Sequence, residues 1–186
     1  MSTLDQLPEA LRQHRQLEEA SCAVSAFECI GKLLGRVAPS AFPFQSDPLN
    51  QHLGFGERKF LRLFDLDATD DHYDTASAVA VIERETRAGR FPLVSLWGPD
   101  QKGVHGYHVF LCAEFRHELI LIDPEIPAVA LTGRADLAAT LEDNRSTNPE
   151  RTTLHLLTYR TMPPHPSPPS IAPTNAIEPG VDQLQR

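Results

Sequence analysis

Long apolar runs are missing from this chain. Nowhere do about eighteen apolar residues follow one another, the least a membrane-crossing helix needs, so no transmembrane helix is expected. Cysteine is scarce. The three present, Cys22, Cys29 and Cys112, are an odd number and ill suited to a disulfide framework. Cys22 and Cys29 on one helix would stand roughly 10 Å apart, beyond the roughly 7 Å that a bridge spans. A reducing compartment follows. Basic charge is also short: 17 Lys and Arg against 25 Asp and Glu give a net charge of -8, which argues against nucleic acid or an anionic membrane as the main partner. The N-terminal MSTLDQLPEALRQH has neither a basic leader nor an apolar core, so a secretory signal is not expected.

What is present is the composition of one globular domain, 186 residues long. Pro8 opens a short helix to about His14. From Ser21 the apolar positions Ala23, Ala26, Phe27, Ile30, Leu33 and Leu34 follow the i, i+3, i+4, i+7 rule. Ser21 is the expected N-cap and Gly35 the expected stop. Residues 36–58, with three prolines and two glycines, read as loop. Lys59 to Leu66 reads as a short helix or strand. The acidic run DLDATDDHYD fails the calcium-loop pattern, because Thr69 and Asp70 stand where an acidic or amide residue and a glycine are needed. It reads as a solvated loop whose Asp74 caps a helix over Thr75 to Ala88. Strands are expected at Arg90 to Trp97, Tyr107 to Phe115, Glu118 to Ile122 and Thr152 to Tyr159, with a helix at Thr132 to Glu142. The middle two strands form a hairpin near the sheet centre. Beyond Met162 lie seven of the sixteen prolines. The division is therefore 1–162 as the folded domain and 163–186 as an extended or disordered tail.

The stretch QLEEASCAVSAFECIGKLL carries the chemistry. A thiol in the first turn of a helix faces unpaired N–H groups and the positive end of the dipole, which favour thiolate. A nucleophile of this kind requires a base, a group that orients the base, and oxyanion donors. His108 opens one strand of the hairpin and Asp123 ends the other, so the two can lie side by side. Gln16 precedes the thiol closely enough to lend its amide to an oxyanion beside the Cys22 N–H.

Gln16-x5-Cys22 at the start of a helix resembles the papain-like cysteine peptidases that process bacteriocin leaders. RAGRFPLVSLW, GYHVFLCAEF and ELILIDPE, in that order, resemble them too. The resemblance covers roughly residues 16–160. It implies an α+β papain-like fold, a nucleophile-bearing helix packed on an antiparallel sheet, with Cys22 as nucleophile, His108 as base, Asp123 as orienting acceptor and Gln16 as oxyanion donor. Ala23, Gly106, Tyr107 and His105 are expected along the substrate cleft. Ala23 stands where the family usually has glycine, and the family's usual fused exporter is not expected from these residues. The implied function is hydrolysis of a protein or peptide amide through a thioester, without metal or cofactor. The protein would act in the cytoplasm or after export without a signal peptide, as free-standing effector-like members do.

Other readings use the same residues. Glutamine deamidation or transglutaminase-like acyl transfer needs the same thiol, ring and carboxylate. An inactive papain-like module binding partners through its proline-rich tail needs none of them. Cys29 and Cys112 read as core residues, and Asp123 can be a turn residue before Pro124. His117 reads as a turn residue, His155 as a strand residue, and Trp97 as core or cleft wall. A metal site at His105, His108 and Cys112 is disfavoured, since alternation along a strand separates the first two.

Overall fold

The computed structural model describes residues 8–18, 21–50, 59–99, 105–115, 117–122, 129–131, 133–147 and 153–162, without the side chains of 98, 99, 105, 129–131 and 147. The tail at 163–186, and with it the division of the chain at 162, lies outside the described residues. Asp123 does too.

The elements are α1 (Glu9–Gln13), α2 (Cys22–Leu33), a 3-10 turn at Pro48–Asn50, α3 (Lys59–Arg62), β1 (Leu66–Tyr73), α4 (Thr75–Arg87), β2 (Leu93–Pro99), β3 (His105–Phe115), β4 (Glu118–Ile122), β5 (Val129–Leu131), α5 (Arg134–Thr147) and β6 (Leu154–Thr161). The six strands form an antiparallel sheet in the order β1-β6-β2-β3-β4-β5. This is an α+β architecture. No helix among the described residues is long and apolar enough to cross a membrane.

Both faces of the sheet are covered. On one, Ala23, Ala26, Phe27 and Ile30 of α2 pack with Leu93, Val109, Leu111, Ala113, Ile120 and Leu157. On the other, Ala78, Val79 and Ile82 of α4 and Leu137 and Leu141 of α5 pack with Val94, Leu96, Cys112, Leu121 and Leu156. The alternation of each strand serves two cores, which is why its sequence reads as nearly continuous apolar residues.

Helix ends follow from local chemistry. Gly35 (φ 69°) stands just past α2, where its N–H reaches the Lys32 carbonyl and the Arg36 N–H the Gly31 carbonyl. Gly89 (φ 71°) ends α4 with the same pair of bonds, from Gly89 to Thr86 and from Arg90 to Glu85. Only glycine takes this left-handed position without strain. Asp74 accepts from the Ser77 N–H at 2.8 Å, the cap expected of it. Inside α2, Gly31 is required by close packing instead. A Cβ there would stand 2.4 Å from Phe64 Cζ and 2.9 Å from Val37 Cγ2. Gly31→Ala is expected to lose about 1–2 kcal/mol net, as overpacking exceeds the gain in helix propensity. A urea midpoint equal to or above that of the parent protein would contradict this.

Three expectations need correction. The acidic run is not a loop but edge strand β1, which pairs with β6 from Leu66↔Thr161 to Tyr73↔Leu154. An edge strand tolerates such charge, because Leu66 and Ala68 supply its inward side while Asp67 and Asp71 face water. Asp70 pairs with His155 Nε2, and the His155 ring stacks on His72 with centroids 4.5 Å apart. The short β5 has no counterpart among the expected strands, and α5 runs five residues past the expected Glu142, ending at Thr147.

A buried carboxylate ties α4 to β6. Glu85, its side chain 1% exposed, accepts from Arg90 Nε (2.5 Å), Arg84 Nε (2.9 Å) and Arg160 Nη1 and Nη2 (2.5 and 3.0 Å). Burial pushes its pKa up, but hydrogen bonds from Arg160, Arg90 and Arg84 more than reverse that, leaving the carboxyl at about 2.

Candidate active site around Cys22

The apolar stripe of α2 holds the helix against β3 and brings its first residue to the start of that strand. Cys22 is half-buried, with Sγ 3.9 Å from the Tyr107 carbonyl oxygen. The other two cysteines are fully buried, and burial pushes both thiols up to about 12. All three are free. Of the three, Cys22 alone has the exposure and the helix-terminal position that thiolate chemistry needs.

Ser21 precedes α2 as expected but does not cap it with its side chain. Its hydroxyl donates to the Glu18 carbonyl at 2.7 Å, and the Gln16 amide donates to that same oxygen at 2.8 Å. Gln16 thus lies in the turn leading to the thiol, with its donor group committed to the backbone. Ala23 is 3% exposed and packed in the core, so its methyl faces no cleft.

At the start of β3, Tyr107 is 39% exposed and sits edge-on to Trp97, its cross-strand partner, at 4.8 Å. Trp97 is half-buried, and its N–H and carbonyl are both bonded by the Asn144 side chain of α5. Gly106 is half-buried, with open space where a Cβ would stand. His105 opens the strand opposite Pro99, and its side chain lies outside the described residues.

His108 follows Tyr107 directly, yet the strand alternation turns it from α2. Its cross-strand partner Leu96 belongs to the α4/α5 core, and its ring lies edge-on to Phe110, 6.3 Å away. Val109 and Leu111, of opposite parity, pack on α2. The imidazole is half-buried, with Nδ1 buried and without a hydrogen-bond partner, and no hydrogen bond joins it to Cys22 among the described residues. The expected Cys22–His108 contact is therefore replaced by one between Cys22 and the backbone next to His108. Among the described residues the β3–β4 ladder runs as far as Leu111↔Ile122, one residue before Asp123.

A second group of polar residues escaped the sequence reading. Ser21, Ser25, Glu28 and Lys32 recur along α2 at helical spacing, and all are buried. Glu28 accepts from Phe44 N (2.8 Å), Gln45 N (3.1 Å) and Gln45 Nε2 (3.0 Å). Gln45 in turn accepts from Leu17 N (2.9 Å) and donates to the Arg15 carbonyl (3.2 Å). His14 Nε2 meets Ser25 Oγ at 3.0 Å. Burial, and then the Lys32 charge, lower the His14 pKa to about 3. Polar residues at these intervals in an otherwise apolar helix were the available signal. No group of three or more His, Cys, Asp or Glu residues suited to a metal ion occurs among the described residues. Compared with known proteins, the chain matches no family model and no curated protein.

Proposed function

We propose that this domain is a papain-like thiol hydrolase acting on an amide of a protein or peptide, with Cys22 as nucleophile. The position of the sulfur carries the proposal: first residue of a twelve-residue helix, half-buried, against the carbonyl of the residue before His108. Thiolate attack on the amide carbonyl would give a tetrahedral oxyanion. The Cys22 N–H and the Gln16 amide, once released from Glu18, are its donors. The imidazolium protonates the leaving amine, and water then cleaves the thioester with the same ring as base. Asp123 is the proposed acceptor for that ring. Backbone cleavage, glutamine deamidation and transfer to an amine differ only in which amide enters and which nucleophile leaves with the acyl group. Action inside the cell or after specialised export is equally compatible with this chemistry.

This reading requires His108, whose ring the alternation sets on the α4/α5 face, to turn toward the thiol during the reaction. A second reading, a non-catalytic papain-like binding module with the 163–186 segment as a partner-binding arm, is favoured by the alternation that sets His108 among Phe110, Cys112 and the α4/α5 core. Alkylation separates the two. With iodoacetamide at pH 6, Cys22 of the hydrolase is expected to react at least about tenfold faster than an unperturbed thiol, and His108→Ala should remove that advantage. Peptide mass analysis checks this, with unreacted Cys29 and Cys112 reporting an intact fold. A Cys22 rate equal to that of a free peptide thiol, unchanged by His108→Ala, would favour the binding module.

A further inference from the structure

We propose that the recess between the α1–α2 connection and the loop following α2 binds a small organic anion, a phosphate or carboxylate carried on a planar apolar body. The recess, more open than enclosed, has a volume of about 470 Å³ and is lined by Arg12, Gln13, His14, Arg15, Ser40 and Phe42. That volume suits a small ligand. Its two charged residues are both arginines, in a protein of net charge -8. The nearby Glu9 accepts from Gln13 Nε2 at 2.7 Å and keeps its charge, but it stands outside the lining.

Three nitrogen-bearing side chains surround the Phe42 ring. Lys32 Nζ lies 3.5 Å from the Phe42 ring centroid and the Arg15 guanidinium 5.5 Å from it, while His14 stacks on the same ring at 6.0 Å. The Lys32 side chain is fully buried without a hydrogen-bond partner. Glu28 forms an ion pair with it at 4.0 Å while its oxygens accept hydrogen bonds from Phe44 and Gln45, so the ammonium has a counter-charge but no hydrogen-bond acceptor. His14 Nδ1 is likewise buried without a partner. Buried polar groups left unsatisfied are costly, and here two gather behind one cationic recess. An anion held by Arg12 and Arg15 would offset the local positive charge through forked hydrogen bonds. The exposed part of the Phe42 ring would meet the ligand's apolar body. This inference does not depend on the chemistry of Cys22.

Calorimetric titration of the full chain in low-salt buffer tests it, with phenyl phosphate, benzoate, inorganic phosphate and phenol as probes. Phenyl phosphate or benzoate is expected to saturate at one site, inorganic phosphate to bind about tenfold more weakly, and phenol not at all. The tighter of the two aromatic anions identifies the headgroup. The Arg12→Gln/Arg15→Gln double variant should weaken binding at least about tenfold with an unchanged melting temperature. Phe42→Leu should erase the preference for phenyl phosphate over inorganic phosphate while leaving the latter's affinity in place. Absence of saturable binding by either aromatic anion, or affinity unaltered in the double arginine variant, would overturn the proposal.

Discussion

Glu85→Gln is expected to destabilise the fold by about 2–3 kcal/mol at neutral pH. Breaking a wholly buried ion pair costs about 3–5 kcal/mol, because one charge is left stranded away from water. Here the carboxylate is 1% exposed, but its partners Arg90, Arg160 and Arg84 are 29%, 52% and 61% exposed and can turn to solvent. The lower figure follows. Glutamine keeps the shape and half of the acceptors but turns an N–H₂ toward guanidinium groups that have no acceptor to offer it. The acid dependence has a definite sign. The folded-state pKa, about 2, lies below the ordinary glutamate value of 4.5, so the contribution is fully present above pH 4.5. It is lost as pH falls from there through about 2. Urea denaturation at pH 7 and pH 3 should therefore show a smaller gap between parent and variant at the lower pH. A gap that is absent at pH 7, or that widens in acid, would show that Glu85 is not the tie between α4 and β6.

Cys22→Ala is expected to abolish hydrolysis, by a factor of at least about 10³, while changing stability by less than about 1 kcal/mol. The side chain is half-buried and its sulfur makes a long contact at 3.9 Å, so little packing is lost. His108→Ala should fall nearly as far, because nucleophile and base act as a unit, and Asp123→Ala less. Mass spectrometry on candidate protein substrates reads the outcome. Fragments mean backbone cleavage, an amide converted to an acid means deamidation, and a cross-linked adduct means transfer. Undiminished turnover in the Cys22→Ala protein would end the thiol mechanism. Loss in Cys22→Ala with full activity in His108→Ala would keep the nucleophile and assign the base elsewhere.

How far these features could be read from the residues alone depends on the physics behind each. Helix α2 was legible because its apolar stripe, and Gly35 beyond it, leave one workable arrangement. Asp74 and Gly89 marked the ends of α4 for equally local reasons. Strand β1 was hidden by its charge, since an edge strand with only Leu66, Ala68 and Tyr73 packed inward looks like an acidic loop. The facing of His108 was hidden by the opposite circumstance. Val109 and Leu111 feed one core while Phe110 and Cys112 feed the other, so the run HVFLC shows no polar alternation. A one-residue difference in parity then decides which side a ring takes. The Ser21, Ser25, Glu28 and Lys32 row escaped for a third reason. Such residues usually mark a solvated face, whereas here the chain before and after α2 folds back over them.

That folding back makes one amide a remote governor of the thiol's surroundings. Gln45 clasps Leu17 and Arg15 on one side and Glu28 on the other, so the lead-in to the sulfur takes its course from a residue far downstream of it. A change in that clasp would be felt at Cys22 as a reshaped approach, with every atom of the cysteine itself untouched.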